Sequence, residues 1–588
     1  MKLPTLGLVL GGALASAKQP NILFVLTDDQ DLHMNSVEYM PLLQKHIIEQ
    51  GTTFAKHFCT VAICCPSRAN LWTGHAAHNT NVTDVSPPYG GFQKVISEGW
   101  NDNYLPLWMQ DAGYNTYYSG KLWNGHTVSN YNETFARGFN GSDFLLDPYT
   151  YKYYDAVMTR NGEEPVSYAG NYSTDVIKDK ILGFLDEALS HERPWFVVAA
   201  PIAPHATTTT DPATNSTYFD FAQYAPRHAD LFKNYTIPRD TSFNAKVEGG
   251  VSWIKNLAPL NASVIDYNDE FQRSRLRALQ AVDEMIEAFV EKLDDAGVLE
   301  DTYVIFSTDN GFHISQHRMT PGKECGYDTD IHIPLAIRGP GIAKGQTIDA
   351  VTSHTDIAPT ILDLAGAPKQ LDGKVIPLTA TAAQNGTYEH AAIEYWGRAL
   401  AEGIYLNPAG SRNIYNNTYK GLRLVGEDYS IYYSVWCTNE AEFYDVKTDP
   451  GQIYNLASNA TAKSDYQLAG RPLAQIIARL DALMMVLKSC KGVACTKPWA
   501  ELHPDGADAV QTLTDALSVD YDDFYSNQPK VAFTSCEMGY LISAEGPQEF
   551  HQYDAAAAAA GDGGARMEQS KIDGREVFLY GADWHLYT

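Results

Sequence analysis

The chain is organised around short, mainly apolar runs that end in polar clusters. Such runs occupy residues 21–27, 115–118, 195–200 and 303–308. Runs of this length without polar alternation predict strands that are buried on both faces of a sheet. Polar side chains follow these runs rather than precede them: Asp28 and Asp29 follow the first, and Asp309 and Asn310 follow the last.

Between the strands, apolar residues recur at helical spacing. The clearest series is Leu276, Leu279, Val282, Ile286, Phe289, Val290 and Leu293, which predicts an amphipathic helix. Gly297 follows it as the expected C-cap. Alternating strands and helices predict an α/β fold with a mainly parallel sheet between helices. Ligands of such sheets bind at the carboxyl ends of the strands, where Lys121 and His205 would join the acidic residues.

The pattern changes after residue 366 to shorter, tyrosine-rich segments. Residues 429–436 are typical of these and predict antiparallel strands. We therefore expect a larger domain at 18–370 and a smaller C-terminal domain at 371–588. The alanine run and glycine cluster at 555–564 are low in complexity and predict a surface loop.

The composition is that of a globular protein. Of the 588 residues, 44% are hydrophobic and 19% are charged, and the formal net charge is -28. Nucleic-acid binding draws on clustered lysine and arginine, so this charge argues against that class of partner. An anionic substrate would be repelled at long range, and its site would need a metal or a few placed cations.

The first 17 residues have the features of a signal peptide. Lys2 precedes a short apolar core, and Ala15-Ser16-Ala17 forms a small-residue cleavage site. We expect a secreted, extracellular protein that spans no membrane, because no later apolar stretch has the length of a bilayer span. Sequons for N-glycosylation fit this route and lie at Asn81, Asn132, Asn140, Asn171, Asn215, Asn234, Asn261, Asn385, Asn416 and Asn459.

The most specific motif is the segment 64–74, Cys-Cys-Pro-Ser-Arg-Ala-Asn-Leu-Trp-Thr-Gly. Pro66 favours the first turn of a helix and Gly74 favours its end. Residue 64 should therefore lie at a helix N-terminus, where free N–H groups and the helix dipole favour an anion. A bare Cys-Cys pair is more often structural, but here it is part of a longer pattern.

This segment resembles the signature C-x-P-S-R-x4-T-G of the type I sulfatase family. The resemblance extends over roughly Gln19–Ala457 and includes Phe443-Tyr444-Asp445 in the C-terminal part. Within the family, the chain is most similar to secreted fungal arylsulfatases, with similarity to N-acetylglucosamine-6-sulfatases. The resemblance implies an alkaline-phosphatase-like fold, which is a large mixed, mainly parallel sheet between helices with a smaller antiparallel sheet. It also implies hydrolysis of sulfate monoesters.

The resemblance also implies the nucleophile. In the family, a formylglycine-generating enzyme oxidises the cysteine that corresponds to Cys64, and the aldehyde is hydrated to a diol. One hydroxyl attacks sulfur, forming a covalent sulfoenzyme, and the second hydroxyl then expels sulfate. Arg68 would hold the diol. Of the eight cysteines, seven would then remain, so at least one thiol stays unpaired; Cys490 and Cys495 are close enough to close a short loop.

Four strand-end residues are candidate metal ligands: Asp28, Asp29, Asp309 and Asn310. Their hard oxygens suit calcium or magnesium better than zinc. The resemblance implies calcium, with the formylglycine oxygen at position 64 completing the set. It also implies that Lys121 and Lys323 contact the sulfate group.

His205 matches the family's catalytic histidine, and either His205 or Lys323 would protonate the leaving oxygen. Many sulfatases carry a histidine two residues after the first lysine, but this chain has Trp123 there. The base that triggers sulfate release is therefore open, with His126 and His313 as candidates.

Several substrates remain compatible with these residues. An arylsulfatase is the first hypothesis, and a glycan sulfatase of the N-acetylglucosamine-6-sulfate type or a phosphonate monoester hydrolase would use the same chemistry. A non-catalytic, secreted glycan-binding protein on a decayed sulfatase fold is the alternative from another class. Specificity should lie in the loops at 84–99 and 207–218.

Overall fold

The computed structural model describes residues 19–210, 217–408, 410–458, 465–506, 509–560 and 565–567. The strands, in chain order, are β1 Asn21–Thr27, β2 Thr52–Phe58, β3 Asn115–Gly120, β4 Gly141–Leu145, β5 Val157–Arg160, β6 Val166–Ser167, β7 Trp195–Ala200, β8 Thr207–Thr210, β9 Thr217–Asp220, β10 Thr302–Thr308, β11 Leu335–Arg338, β12 Gln346–Ser353, β13 His390–Tyr395, β14 Ala399–Leu400, β15 Asn413–Ile414, β16 Tyr419–Val425, β17 Ser430–Trp436, β18 Ala441–Asp445, β19 Gln467–Leu468, β20 Arg471–Pro472, β21 His551–Tyr553 and β22 Ala565–Met567.

The α-helices are α1 Pro41–Leu43, α2 Cys64–Thr73, α3 Ala77–Thr80, α4 Gly91–Ser97, α5 Leu105–Asp111, α6 Ser173–Leu189, α7 Ala262–Asp295, α8 Asp328–Ile331, α9 Ile357–Leu364, α10 Ala380–Gln384, α11 Leu473–Leu487, α12 Val493–Thr496, α13 Pro498–Leu502, α14 Leu513–Ala516, α15 Asp522–Ser526 and α16 Ala555–Ala560.

The centre of the molecule is a mixed, mainly parallel sheet. Its ten strands within the described residues have the order β12-β2-β11-β10-β1-β7-β3-β4-β5-β6. The central strands β10, β1, β7, β3 and β4 run parallel to one another. Strand β11 is antiparallel to β10 and β2, and β5 is antiparallel to β4 and β6. The predicted α/β fold is confirmed.

Strand β1 is buried on both faces of the sheet, which explains its apolar sequence. Leu23 and Val25 point into a core formed with α6 and α7 on one face of the sheet. Phe24 and Leu26 point into a second core on the other face, formed with α2, α5 and α9. Because both faces are covered, no position of the strand faces water, and none carries a polar alternation.

Helix α7 contains the predicted amphipathic series. It begins after Asn261, whose side-chain oxygen accepts a hydrogen bond from Val264 N at 3.1 Å. It ends before Gly297, which has φ 67°, the left-handed conformation expected of a glycine after a helix. The predicted C-cap is confirmed.

The predicted antiparallel sheet is formed by β13-β16-β17-β18. One face packs on α11 and the helices that follow it, and the other packs on the rim of the main sheet. Disulfides join Cys437 to Cys536 and Cys490 to Cys495, so the predicted short loop is confirmed. The domain boundary at residue 370 stays a prediction.

The loop predicted at 555–564 is corrected in part. Residues Ala555–Ala560 form helix α16, because alanine has the highest helix propensity and the Asp554 carboxylate accepts from Ala556 N at 2.8 Å. Residues 561–564 and the predicted signal peptide lie outside the described residues. Among the described helices, none combines the length and the apolar character of a membrane span.

The sequons differ in how accessible their asparagines are. Asn81 is half-buried, and its Nδ2 donates to Glu98 Oε1 at 2.9 Å. Asn215 and Asn459 lie outside the described residues. The remaining asparagines are exposed: Asn132, Asn140, Asn171, Asn234, Asn261, Asn385 and Asn416.

Candidate active site

The carboxyl ends of four neighbouring parallel strands bring together the polar residues predicted from the sequence. Asp28 and Asp29 follow β1, Asp309 and Asn310 follow β10, and Lys121 follows β3. His205 lies a few residues beyond β7. All of these side chains are buried, so they form one enclosed cluster at one edge of the sheet, as predicted.

Helix α2 points its N-terminus at this cluster. It spans Cys64–Thr73, and Gly74, with φ 65°, is its C-cap, as the sequence predicted. The left-handed φ favours glycine here, and a Cβ at this position would also displace the Leu371 side chain, whose Cδ1 would lie 2.6 Å away. The Cys64 Sγ lies 3.6 Å from Asp28 Oδ1 and 3.9 Å from Asp29 Oδ1.

Lys121 and Lys323 pair with the two aspartates that follow β1. Lys121 Nζ lies 2.6 Å from Asp28 Oδ2. Lys323 Nζ lies 2.6 Å from Asp29 Oδ1 and 3.2 Å from the Cys64 sulfur. Lys323 therefore lies against residue 64, and the positive charge of Lys121 acts on the same thiol.

Arg68 links the two strand ends from within α2. Its Nε lies 2.9 Å from Asp309 Oδ2, its Nη2 lies 3.3 Å from Asp28 Oδ2, and its Nη1 donates to the Lys121 carbonyl at 2.5 Å. This planar fork fixes the distance between β1, β3 and β10, a task for which lysine has the wrong shape.

Burial and neighbouring charges act in opposite directions on these groups. Burial opposes ionisation of Asp28, but Lys121 and Arg68 outweigh it and hold the pKa of that carboxyl below its usual range. Burial would lower the pKa of Lys323, but the Asp29 carboxylate raises it. Burial raises the pKa of the Cys64 thiol well above its usual value, so the thiol is uncharged near neutral pH.

His205 faces the same carboxylates. Its Nε2 lies 3.4 Å from Asp29 Oδ2, and its Nδ1 lies 2.7 Å from the Ala206 carbonyl. We assign the proton of the neutral ring to Nδ1, because a carbonyl only accepts. Burial lowers the pKa of His205 to about 4. Tyr151 stacks on the ring at 4.1 Å between centroids, which fixes its orientation.

The oxygen atoms of the cluster fit a hard divalent cation. Oxygen or nitrogen atoms of Asp28, Asp29 and His205 and the Cys64 sulfur all lie within 4.8 Å of one another. Asn310 Nδ2 donates to Asp29 Oδ1 at 2.8 Å, and its buried Oδ1 has no partner among the described residues. A cation would satisfy this oxygen, which otherwise costs free energy.

Asp309 is held differently from the other predicted ligands. One of its oxygens accepts from the backbone N–H groups of Asp29 and Asn310 at 3.0 and 2.9 Å, and the other faces Arg68. Burial and the neighbouring Asp28 raise the pKa of Asp309. It therefore organises the two strand ends in addition to offering an oxygen.

The structure does not bring His126 into the cluster. Its ring packs against Phe92 and Phe144, with centroids 4.5 and 5.6 Å away, and burial lowers its pKa to about 4. Trp123 is buried in the same apolar core. His313 lies nearer: its Nδ1 is 2.8 Å from Asp330 Oδ1, and it lines a cavity together with Lys323.

Two buried residues around the cluster were not predicted from the sequence. Arg275 on α7 donates to the Asp29 carbonyl at 2.5 Å and lies 3.3 Å from Asp31 Oδ1. The sequence signal for Arg275 is the presence of a charged residue within the apolar stripe of α7. Glu402 is buried near Lys323, and burial raises its pKa to about 7; no sequence pattern marked it.

The sequence of the chain matches two models of known protein families. A family model described as Sulfatase matches residues 20–367, more than half of the chain. A second, described as N-sulphoglucosamine sulphohydrolase, C-terminal, matches residues 320–475.

Three known proteins show how far the similarity reaches. An arylsulfatase of Volvox carteri is 39% identical over 90% of this chain and 84% of its own. The N-acetylglucosamine-6-sulfatase of Homo sapiens is 29% identical over 84% of this chain and 89% of its own. A solved protein in complex with its substrate D-glucosamine-2-N,6-O-disulfate is 23% identical, with a TM-score of 0.59 over 75% of this chain and 94% of its own, and so shows the fold. The chain belongs to the sulfatase family of sulfuric ester hydrolases.

Proposed function

We propose that this protein is an arylsulfatase, which hydrolyses the sulfate monoester of a phenol to the phenol and inorganic sulfate after Cys64 has been converted to formylglycine. The observation that carries the proposal is the position of Cys64 at the N-terminus of α2, between two buried carboxylates and Lys323. The identity of 39% with the Volvox arylsulfatase supports the choice of aryl esters.

The chemistry of the thiol supports conversion of Cys64. Burial raises its pKa, so the unmodified side chain would present a poor nucleophile at neutral pH. A thiol would also lack the second hydroxyl needed to release sulfate. Hydrated formylglycine supplies both hydroxyls, and the formylglycine-generating enzyme is the partner that this proposal requires.

The fixed cations would act on the sulfate group. Lys323 lies beside residue 64 and Lys121 pairs with Asp28 next to it. Both would bind the nonbridging sulfate oxygens and stabilise charge that develops on them. Lys323 is protonated and would also donate a proton to the departing phenolate oxygen. His205, with Nε2 free of its proton, would accept a proton at that atom.

Calcium is the metal that we propose for the site. Asp28, Asp29, Asp309 and Asn310 would hold it with hard oxygens; it would lower the pKa of a bound hydroxyl and neutralise charge. The three aspartates are balanced in formal charge by Arg68, Lys121 and Lys323. A divalent ion would make the cluster positive, which offsets the repulsion between the acidic protein and an anionic ester.

We also propose that the protein is secreted and glycosylated. The N-terminal pattern and the exposed sequon asparagines support this route. Treatment of the expressed protein with an endoglycosidase that removes N-glycans should shift its mass, and N-terminal sequencing of the exported protein should begin after Ala17. Export without cleavage or without glycans would contradict these two proposals separately.

A glycan sulfate ester is the second candidate, which the human relative supports. Rates on 4-nitrophenyl sulfate, on a 6-sulfated N-acetylglucosamine and on a phenyl phosphonate monoester would rank the candidates. The proposal predicts the highest kcat/KM on the aryl sulfate. A higher kcat/KM on the sulfated sugar or on the phosphonate would replace it with that activity. If protein with verified formylglycine binds these esters but hydrolyses none of the three, a glycan-binding role is favoured.

A further inference from the structure

A cavity of about 240 Å³ adjoins the active site. Apolar cavities of about 150 Å³ can hold a benzene ring, so this one has room for an aromatic leaving group. Lys323, which contacts Asp29 in the active-site cluster, also lines the cavity, together with His313. Since Lys323 Nζ lies 3.2 Å from the Cys64 sulfur, a group bonded to sulfate at residue 64 would lie near the cavity.

The walls of the cavity are mainly apolar. They are formed by Trp253, Leu257 and Pro259 before α7 and by Leu400 and Leu406 after the main sheet. Trp253 is held in place by its Nε1, which donates to Asn417 Oδ1 at 3.1 Å. These apolar side chains fit the faces of a flat ring, and the polar side chains of Asn261, Thr320 and Asn407 also line the cavity.

Arg318 is one of the charged residues in this lining. The half-buried guanidinium donates to the carbonyls of Asn244 and Leu257 at 3.4 and 3.1 Å. Within the described part of the chain, it forms no ion pair with a carboxylate, in contrast to Arg68 and Arg275, which face aspartates. A guanidinium with only carbonyl partners retains donors for an anion.

The loop that carries Arg318 is built with backbone strain. Ser315, His317 and Arg318 have φ values of 77°, 53° and 66°, the left-handed region that non-glycine residues rarely adopt. His313 and Gly322 pair across the base of the loop. Such strain persists where the surrounding structure fixes it, commonly at binding sites.

We propose, building on the proposed sulfate-ester hydrolysis, that this cavity is the leaving-group pocket and that Arg318 selects apolar phenols carrying a second negative charge. The walls would bind the ring, and the guanidinium would bind a carboxylate or a second sulfate on it. Arg318 is then a specificity-determining residue outside the cluster that performs the chemistry.

The test compares two esters that differ in one charge: 4-(sulfooxy)benzoate and its methyl ester. A charge-assisted hydrogen bond contributes about 1.5–3 kcal/mol, which corresponds to roughly 10- to 140-fold in affinity. In the formylglycine-bearing protein, Arg318→Ala should therefore lower kcat/KM on the benzoate at least tenfold, mainly through KM. Activity on the methyl ester should stay within twofold.

Two variants control this measurement. Arg137→Ala removes an exposed arginine, with 59% of its side chain accessible, and should leave both activities unchanged. Arg318→Gln keeps bulk and hydrogen-bonding capacity but removes the charge, and should reproduce the loss on the benzoate if Arg318→Ala fails to fold.

The outcomes separate the two proposals. An unchanged ratio of the two kcat/KM values in a folded, active Arg318 variant would overturn the role of Arg318 alone. Failure of the wild-type, formylglycine-bearing protein to hydrolyse either ester would instead overturn the proposed function. A wild-type preference for the methyl ester would also contradict the selection of a second negative charge.

Discussion

Replacement of Lys323 by methionine removes a positive charge from the centre of the site and keeps an unbranched side chain that is one atom shorter. The ammonium lies 2.6 and 2.7 Å from the two Asp29 oxygens and 3.2 Å from the Cys64 sulfur. Loss of one preorganised donor in an enclosed site costs about 2.7–4 kcal/mol of transition-state stabilisation. We therefore expect kcat to fall by roughly 10²–10³-fold.

The assay should separate electrostatic stabilisation from proton donation. The rates of Lys323→Met are measured on 4-nitrophenyl sulfate and on phenyl sulfate, and each rate is normalised to formylglycine content by mass spectrometry. If Lys323 protonates the leaving oxygen, the loss is larger for phenyl sulfate, because the more basic phenolate needs the proton more. Equal losses indicate that the charge acts on the sulfate group alone.

A matched control and a refuting result complete this prediction. Lys246→Met removes a lysine whose side chain is 52% exposed and which pairs only at the surface with Glu248, so its kcat should be unchanged. If folded Lys323→Met retained kcat within threefold of the wild type on both esters, the assignment of Lys323 to the reaction would be wrong.

Three further predictions concern other parts of the molecule. His126→Ala should retain kcat within threefold but lower the free energy of unfolding by about 1–3 kcal/mol, because the buried ring packs apart from the site; a 100-fold loss of kcat would contradict this. Cys437→Ser opens a disulfide across a separation of 99 residues and should cost about 2–5 kcal/mol in urea unfolding, whereas an unchanged midpoint would refute a structural role. Burial raises the pKa of Glu442 to about 7, above its unfolded value, so its contribution to stability is lost as pH rises from about 4.5 to 7. Glu442→Gln should therefore flatten the fall in melting temperature over that range, and an unchanged slope would contradict the assignment.

The residues at the strand ends could be predicted from the sequence because their positions follow from topology. An apolar run that forms a parallel strand places the next residues at the ligand-binding edge of the sheet. The proximity of Asp28, Asp309 and Lys121 could therefore be predicted without knowledge of any contact. The motif around Cys64 added a helix N-terminus directed at the same edge.

Side chains farther from strand ends could not be placed in this way. His126 is only five residues from Lys121, but the turn after β3 directs its ring into the apolar core beside Phe92. The cavity around Arg318 combines segments distant in sequence, near residues 253–264, 313–323 and 399–414. No local pattern specifies such a meeting, because it depends on how the two sheets pack.

The central claim is that Cys64 becomes the catalytic aldehyde. Protein produced with and without coexpressed formylglycine-generating enzyme would be digested, and the fraction of the Cys64 peptide in the aldehyde form measured by mass spectrometry alongside kcat on 4-nitrophenyl sulfate. The account predicts that kcat rises in proportion to the aldehyde fraction and vanishes in Cys64→Ala. Equal turnover by protein in which residue 64 is entirely thiol, or by Cys64→Ala, would contradict it.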